Sequence, residues 1–371
     1  MRSRQHGMSL VEVLVAVAIG LIGILIITQA YLTSDSFNRS TLGEGGAQTN
    51  GTIALFSVER DVRMAGYGLA DSRALGCGII NYYVSPNYST NLGGTMPNVG
   101  YAPVSITTTP GQPDQITVMY ASGATRVVPV ALTTGSGANS FTVDGTYGFN
   151  VSDLILAVNL TAPVNCSLFK VTSVVPASAQ LLHDPGAAGE YNPPGGSGLF
   201  PAYAKDDLVF DLGQLRRRTF SIVNGNLRAT DSLLSNGTSS AMDMVDGIVD
   251  MHAQYGKDNG INNGTVSNST YTLGDGIIDS FDTTPPVTSS DWTQVLAVRV
   301  GILARIGNYE KPSVSGGNCD ATTVLPTWSG SASGSPFNAV DIATVTSQDR
   351  CFRYRVFETV IPLRNMIWRA S

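Results

Sequence analysis

An uncharged apolar stretch near the N-terminus constrains this 371-residue chain more than any other feature. From Val13 to Ser34 the 22 residues include no Asp, Glu, Lys or Arg. As an α-helix this stretch would measure about 33 Å, which is enough to cross a hydrocarbon core about 30 Å thick. Residues 1–7 carry two arginines and no acid, which is typical of a segment held on the cytoplasmic side. The stretch is therefore predicted to be a membrane-spanning helix.

Three kinds of N-terminal segment could contain such a stretch. A secretory signal peptide has a shorter apolar region, about 7 to 15 residues, followed by a small-residue cleavage site that this sequence does not offer. A plain transmembrane anchor leaves Glu12 unexplained, because an acidic side chain within an apolar span is costly and indicates a function. A signal that is cut on the cytoplasmic side, before the apolar stretch, accounts for both the basic start and Glu12.

The stretch Gly7-Met8-Ser9-Leu10-Val11-Glu12 resembles the cleavage motif of prepilins. That motif has a glycine before the cut, an apolar residue after it, and a glutamate at the fifth position of the mature chain. The resemblance implies that a prepilin peptidase cuts between Gly7 and Met8 and methylates the new amine of Met8. It also implies that Glu12 neutralises this amine on a neighbouring subunit in a filament. Opposite charges in an apolar bundle must pair, because each otherwise carries a desolvation penalty of several kcal/mol.

Beyond the span, the pattern predicts a short helical extension, a break at Gly43–Gly46 and a second helix over residues 52–65. Gly66 and Gly68 are expected to end this second helix. Its apolar residues recur at spacings of three and four and should pack on the rest of the protein; they are Leu55, Val58, Val62 and Ala65.

The residues that follow the span resemble one family of minor pilins. The run Glu59-Arg60-Asp61-Val62-Arg63-Met64-Ala65-Gly66-Tyr67-Gly68, with Cys77 soon after it, is similar to a run in the PilW family. Two C-terminal segments, Trp292–Arg305 and Tyr354–Asn365 with its Pro362-Leu363-Arg364-Asn365, resemble that family's closing strands. The resemblance implies an α+β fold, with a long N-terminal transmembrane α-helix and a pilin-like, mostly antiparallel β head. The expected divisions are a leader at 1–7, the helix with its extension at 8–45, and an extracytoplasmic head at 46–371.

The resemblance also implies a place of action and a set of partners. A minor pilin would sit in the inner membrane with its head in the periplasm and reach the cell surface in the assembled pilus. It would help to initiate the pilus, near its tip, together with other minor pilins, the major pilin and a PilY-type tip adhesin. Motility, adhesion and DNA uptake are all compatible with this role. A type II secretion pseudopilin is the nearest alternative, but the length of the chain and its closing Pro-Leu-Arg-Asn favour the pilus.

Composition and motifs give no sign of catalysis. The net charge is −6, so we expect no direct nucleic-acid binding. The three histidines are far apart, and the sequence contains neither a Gly-x-Ser-x-Gly nucleophile motif nor a phosphate-binding P-loop. We therefore expect the protein not to be an enzyme. A membrane-tethered enzyme or binding protein is the alternative of a different class.

Four cysteines suggest two disulfides in an exported chain. Cys77, Cys166, Cys319 and Cys351 allow three pairings, among which the sequence does not choose. We prefer Cys77–Cys166 and Cys319–Cys351, because each pair then lies within its own half of the chain. Free buried thiols are the alternative.

One polar region could bind calcium, since Ca²⁺ takes six to eight oxygen ligands on a sharply turning backbone. Asp258, Asn262, Asp275 and Asp279 lie in two runs of Asp, Asn and Gly after Gln254-Tyr255-Gly256. The intervening residues 265–273 split the runs, and a polar hairpin that uses Asn and Gly for its turns is the alternative.

The rest of the chain is expected to form strands separated by polar loops. The best candidates are residues 116–120, 126–131, 154–159, 168–175, 207–212, 217–223, 295–306 and 353–363. Arg216-Arg217-Arg218 is interpreted as a charged strand edge that discourages aggregation, with a contact patch as the alternative.

Overall fold

The computed structural model describes residues 9–69, 74–75, 77, 79–81, 102–123, 126, 128–161, 165–184, 191–192, 202–232, 239–258, 276–312, 314 and 316–367. Gly7 and Met8 at the predicted cleavage site lie outside the described residues. The same holds for Asn262 and Asp275 of the predicted calcium site.

A single 55-residue helix, α1 (Leu10–Met64), begins after Ser9 and includes both the apolar span and its extension. At 1.5 Å per residue it is about 80 Å long. It ends at Gly66 and Gly68, whose positive φ values of 76° and 70° are accessible to glycine at little cost. The predicted end of the helix is confirmed, whereas the predicted break at Gly43–Gly46 is wrong because the helix continues through those residues.

The head is built mainly of antiparallel strands, which confirms the predicted α+β class. Within the described residues the strands are β1 (Ile79–Asn81), β2 (Val104–Thr107), β3 (Gln115–Ser122), β4 (Val130–Ala131), β5 (Ser140–Thr142), β6 (Leu154–Val158), β7 (Asn165–Lys170), β8 (Ser173–Val175), β9 (Gln180–Leu182), β10 (Leu208–Val223), β11 (Asn226–Ser232), β12 (Ser240–Asp246), β13 (Ile248–Lys257), β14 (Ser280–Asp282), β15 (Val295–Arg305) and β16 (Tyr354–Pro362). Two short helices are α2 (Ser289–Thr293) and α3 (Arg364–Ile367).

Three sheets account for the described strands. The largest follows the order β1-β7-β6-β10-β11-β12, and β10 also pairs with β3 and β4, while β2 pairs with β3. The second sheet has the order β14-β13-β15-β16, and the third has the order β5-β9-β8. The pair β1–β7 is parallel.

The strand β10 runs antiparallel to the helix that covers it. Arg218 on β10 binds Asp61 near the end of α1. Just past the turn that follows β10, Asn226 pairs with Asp246 at the end of β12. Asp246 accepts a hydrogen bond from Asn50 of α1, about three helical turns nearer the span than Asp61. The first residues of β10, at Leu208, therefore lie beyond the C-terminal end of α1, on the side away from the apolar span.

Two hydrophobic cores meet at β6, whose residues are buried on both faces. Leu154, Leu156 and Val158 belong to the main core with α1, and Ile155 and Ala157 belong to the second core with β4, β5 and β9. The continuous apolar sequence of β6 is what a strand covered on both faces requires. The second core consequently lies on the side of the head that faces away from the span.

Several strand predictions need correction. Residues 207–212 and 217–223 were predicted as two strands but form one, β10, and residues 168–175 contribute to β7 and β8 in different sheets. Among the described residues of the predicted strand 126–131, Val130–Ala131 is the part that forms a strand. The interpretation of Arg216–Arg218 as a strand edge is wrong, because β10 has partners on both sides there at Arg217 and Arg218.

Candidate functional site: the apolar span and its junction with the head

The N-terminal part of α1 makes no contact with the head. Leu10–Asp35 has a mean hydropathy of 3.0 and is unburied within the protein, so by length and composition it could cross a membrane. Glu12 is the only Asp, Glu, Lys, Arg or His between Leu10 and Ser34 and is exposed within this surface. A carboxylate in such apolar surroundings requires an opposite charge, and no residue within the described span supplies one.

The C-terminal half of α1 packs on the head through a stripe at spacings of three and four residues. Its buried members are Ala47, Gly51, Ala54, Val58, Val62 and Ala65. Leu55, which was predicted to belong to the packed face, is only partly buried at its margin. The opposite surface of the helix exposes apolar side chains, namely Leu42, Ile53 and Phe56. The helix thus has one face for the head and leaves a second apolar face uncovered by this chain.

Two glycines let α1 approach the head closely. A Cβ atom on Gly51 would lie 2.1 Å from the ring of Phe357 on β16. A Cβ atom on Gly43 would lie 2.7 Å from Asn308. By contrast, a Cβ atom on Gly45 or Gly46 would meet nothing within 4 Å. The run 43–46 therefore remains helical while part of it is packed against the head, and packing supplies most of the stability of such a helix.

A charged network fastens the end of α1 to the large sheet. Asp61, 2% exposed, accepts a hydrogen bond from Arg218 Nη1 at 2.9 Å. Arg218 also forms a bidentate pair with Asp231, with distances of 2.6 and 2.7 Å. This hydrogen bonding lowers the pKa of Asp231. Two carboxylates therefore share one guanidinium, which is a favourable arrangement for a half-buried arginine.

The closing Pro-Leu-Arg-Asn has a structural role at the same junction. Asn365 donates from its side-chain amide to the carbonyl oxygens of Ala65, Met64 and Arg63, at 3.0, 3.3 and 3.5 Å. The last carbonyl groups of a helix have no hydrogen-bond donor within the helix, so the amide of Asn365 supplies a donor to the last carbonyl groups of α1. Two motifs that resembled a family, 300 residues apart, thus meet at one helix end.

The two disulfides are those preferred from the sequence. Cys77 is joined to Cys166, the first residue after Asn165 on β7, and the two Cα atoms are 6.0 Å apart. Cys319 is joined to Cys351 with Cα atoms 4.9 Å apart, which closes the long C-terminal loop before β16. Neither disulfide lies near Glu12, so both act on the head.

The predicted calcium ligands are only partly described. Asp258 is 3% exposed and accepts from the Gly276 N–H at 2.8 Å, which brings the two ends of segment 259–275 together. Asp279 is exposed, and its N–H donates to the Lys257 carbonyl. Among the described residues there is no group of three His, Cys, Asp or Glu side chains that could hold a metal ion. The calcium site stays a prediction.

Sequence reasoning missed a buried polar cluster on β13. His252 lies between two carboxylates, with Nδ1 3.1 Å from Asp114 and Nε2 3.3 Å from Asp250. Neither contact is a well-aligned hydrogen bond, so the attraction is chiefly between charges. Burial alone would lower the pKa of His252, but the two aspartates together raise it to about 9. The sequence did contain a signal for this cluster. Asp250, His252 and Gln254 alternate with other residues, and such spacing places all three on one face of a strand.

This cluster fastens loops to the sheet. The second oxygen of Asp250 accepts from the N–H groups of Asn338 and Ala339 at 2.8 and 2.9 Å. Asp114 accepts from the Ala253 N–H at 3.0 Å. The side chains of Asp114, Asp250 and Gln254 are fully buried, and His252 is 2% exposed. Groups enclosed to this degree support the architecture of the head and offer no surface to a substrate.

Comparison with protein families gave two matches. Residues 213–365 match the family described as type IV pilus-assembly protein W, PilW. Residues 2–28 match the prokaryotic N-terminal methylation motif. The first match contains β11 to β16 and Asn365, and the second contains the site around Gly7, Met8 and Glu12. Comparison with curated proteins and with solved structures gave no significant match.

Proposed function

We propose that this chain, a PilW-family prepilin by its matches over residues 213–365 and 2–28, acts as a minor pilin that initiates a type IV pilus and remains at or near its tip. The matches support a pilus-related protein with a membrane-anchoring helix. Its position in the filament and its processing by prepilin peptidase are proposals. The role is one of assembly and not of catalysis.

The observation that carries the proposal is the division of α1 into two parts. The half from Ala47 onward is packed on the head and capped by Asn365, whereas Leu10–Asp35 is apolar and unburied. A helix that is rigidly attached at one end and bare at the other suits packing against equivalent helices, first in the membrane and then in a filament. The exposed Phe37 and Phe56 would extend such packing beyond the membrane.

Glu12 would give this packing its register. In the proposed mechanism prepilin peptidase cuts between Gly7 and Met8 and methylates the amine of Met8. The positive amine of a neighbouring subunit then pairs with Glu12. An ion pair in an apolar bundle is strongly destabilised when either partner is missing, so only the axial offset that brings the two charges together is favoured.

The proposed partners follow from this position. They are the other minor pilins, the major pilin and a PilY-type tip adhesin. Before assembly the head would lie in the periplasm, because the basic residues 1–7 favour a cytoplasmic N-terminus. After assembly it would lie on the pilus at the cell surface.

The mass of the N-terminus tests the processing step. The full chain is recovered from membranes of cells with and without active prepilin peptidase. We expect a mature chain that starts at methylated Met8 only where the peptidase is active. An intact leader, or a cut beyond residue 30, in peptidase-containing cells would overturn the assembly role.

Counting pili tests the assembly step itself. A strain that lacks this chain should carry few or no pili, and the wild-type gene should restore them. Normal piliation together with a defect in protein secretion would instead assign the chain to a type II secretion pseudopilus.

We also propose that calcium binds at Asp258 and Asp279 with Asn262 and Asp275. The purified, detergent-solubilised chain should melt at a higher temperature in millimolar Ca²⁺ than in chelator, because a ligand of the folded state stabilises it by mass action. Asp258→Asn should abolish this difference, whereas the exposed Asp320→Asn should leave it unchanged. An equal response in wild type and Asp258→Asn would exclude this ligand set.

A further inference from the structure

One face of the β3–β10 pair emerges from beneath α1 at the point where the helix ends. Three cross-strand pairs follow one another along this face: Phe220 with Ile116, Arg218 with Val118, and Arg216 with Tyr120. Phe220 and Ile116 are fully buried, Arg218 is held by Asp61 of the helix, and Arg216 is exposed. Directly opposed residues in an antiparallel pair lie side by side on one face. Arg216 and Tyr120 therefore form a ledge just past the helix end.

Within the described part of the chain, Arg216 differs from its neighbours because its charge acts on Asp231 and Tyr120 only from a distance. Arg218 is engaged by Asp61 and Asp231, and Arg217 donates to Ser232. Among the described residues Arg216 makes no ion pair and no side-chain hydrogen bond. The nearby carboxylates, Asp61 and Asp231, are already committed to Arg218. The guanidinium of Arg216 is therefore exposed and makes no direct contact with a carboxylate of the described chain.

Tyr120 supplies the second half of the ledge. Its ring is partly buried against the main core. Burial raises the pKa of its phenol, and the charge of Asp61 raises it further, so the hydroxyl keeps its proton and can donate a hydrogen bond. Tyr67 is half exposed nearby, since its carbonyl accepts from the N–H of Ala121. Tyrosine and arginine are both enriched among the residues that contribute most to protein–protein binding.

We propose that the ledge formed by Arg216 and Tyr120 binds a carboxylate side chain on a segment of another pilus subunit. The guanidinium would take the carboxylate as a bidentate partner, and the tyrosine would pack against the neighbouring part of the segment. The proposal rests on the proposed pilus function for the identity of the partner. The ledge itself follows from the contacts of this chain.

A peptide suits this surface better than a nucleic acid. Binding of nucleic acid depends on several cationic contacts to phosphates, and its affinity rises with their number. Here one free arginine stands next to a network whose other charges are internally neutralised, on a chain of net charge −6. A single carboxylate beside an apolar side chain matches one arginine and one tyrosine.

Photo-crosslinking in pilus-producing cells tests the ledge. The full chain carries a benzophenone amino acid in place of Tyr67, and the crosslinked peptide is identified by mass spectrometry. We expect a segment of another pilus subunit that contains Asp or Glu. The yield should fall at least tenfold with Arg216→Glu and fall less with Arg216→Lys, which keeps the charge but loses the bidentate geometry. Lys311→Glu, the same charge reversal at another exposed cation without an ion-pair partner in the described chain, should leave the yield unchanged.

A charge exchange completes the test. Replacing the identified acid of the partner by Arg should restore crosslinking to Arg216→Glu. The inference is overturned if Arg216→Glu leaves the yield unchanged, if Lys311→Glu lowers it equally, if the crosslink goes to nucleic acid, or if no crosslink forms in piliated cells.

The two proposals fail in different ways. If cells that lack this chain are fully piliated, the proposed function is wrong. If pili depend on the chain but Arg216→Glu neither reduces piliation nor changes the crosslink, the ledge alone is wrong.

Discussion

His252 and Glu12 are both ionisable residues in apolar surroundings, and they differ in whether the chain supplies an opposite charge. His252 is buried between Asp114 and Asp250 of the same chain, so its partners are present in the folded head. Glu12 is exposed and has no such partner in the described span. The proposed mechanism takes the partner of Glu12 from a neighbouring subunit.

Replacing Glu12 should separate processing from assembly. Glu12→Ala is expected to leave removal of the leader largely intact and to lower the number of pili at least tenfold, because the neighbouring amine then stays unpaired. Electron-microscopic counts of pili and N-terminal masses measure the two effects. Glu44→Ala is the control, since Glu44 lies on the same helix but pairs with Arg355 at the surface. Normal piliation in Glu12→Ala would contradict the register mechanism.

The two buried histidines should give opposite pH dependences of stability. The pKa of His252 is raised from 6.5 to about 9, so its stabilisation is complete below pH 6.5 and is lost as the pH rises through 9. Burial lowers the pKa of His183 from 6.5 to about 4, so folding is favoured above pH 6.5 and weakened as the pH falls toward 4.

Urea unfolding of wild type, His252→Gln and His183→Phe at pH 5, 6.5 and 9.5 measures this. The advantage of wild type over His252→Gln should decrease by about 3 kcal/mol between pH 6.5 and 9.5. For His183→Phe, its stability relative to wild type should increase on going from pH 6.5 to pH 5. Parallel pH profiles for the three proteins would contradict both assignments.

At the scale of elements, α1 shows where sequence patterns succeed and fail. The span, the packed positions Val58 and Val62, and the end at Gly66 were all predictable, because they depend on hydropathy, helical spacing and backbone freedom. The continuity through Gly43–Gly46 was not. Local propensity disfavours glycine in a helix, but the contact of Gly43 with Asn308 depends on a residue 265 positions away. Only tertiary packing reveals that such a glycine is required.

The glycines of α1 provide a matched pair of substitutions. Gly51→Ala should destabilise the head by about 1–3 kcal/mol, since its Cβ would overlap Phe357. Gly45→Ala should stabilise it by about 0.5–1 kcal/mol, because the site is helical and open. Chemical denaturation followed by circular dichroism measures both. Equal effects of the two substitutions would show that α1 does not pack on β16 at Gly51.

The strands that the sequence did not predict share a physical cause. In β13 both faces are buried, and one of them is polar, with Asp250, His252 and Gln254. Their burial is tolerated because their partners come from loops far away in sequence, such as Asn338. In β12 the first four residues are all exposed, so buried and exposed residues do not alternate along the strand. Patterns of hydropathy therefore identified strands such as β6 and β15 and missed strands defined by pairing alone.

At the scale of the whole molecule, the head has a part near the anchor and a part away from it. The family match at residues 213–365 includes β12, β13, β15 and β16, which pack against α1. The second core, with Phe141 and Phe169, lies outside that match. The site residues Glu12, Cys77 and Cys166 could be chosen from sequence because motif and compartment mark them. The ledge at Arg216 could not, because it depends on where α1 ends over β10.

The two disulfides should stabilise the head to different degrees. They close loops with separations of 89 residues for Cys77–Cys166 and 32 for Cys319–Cys351. Chain entropy then predicts losses of about 5 and about 4 kcal/mol when each pair is replaced by alanine. Guanidinium unfolding of the two double variants measures the difference. A larger loss of stability on removal of Cys319–Cys351 would indicate that this disulfide stabilises the head by more than the length of its loop predicts.

The unbroken course of α1 determines how a pull on the molecule would be resisted. Tension applied to the span is carried along one continuous helix, and the contacts of this helix with the head lie side by side along it from Gly43 to Ala65. The junction is therefore loaded in shear, so that the packing stripe, the Asp61–Arg218 bridge and the Asn365 cap resist together. A hinge at Gly43–Gly46 would instead let the head tilt and peel away one contact at a time. In the proposed filament, the head and α1 would therefore resist a pull together.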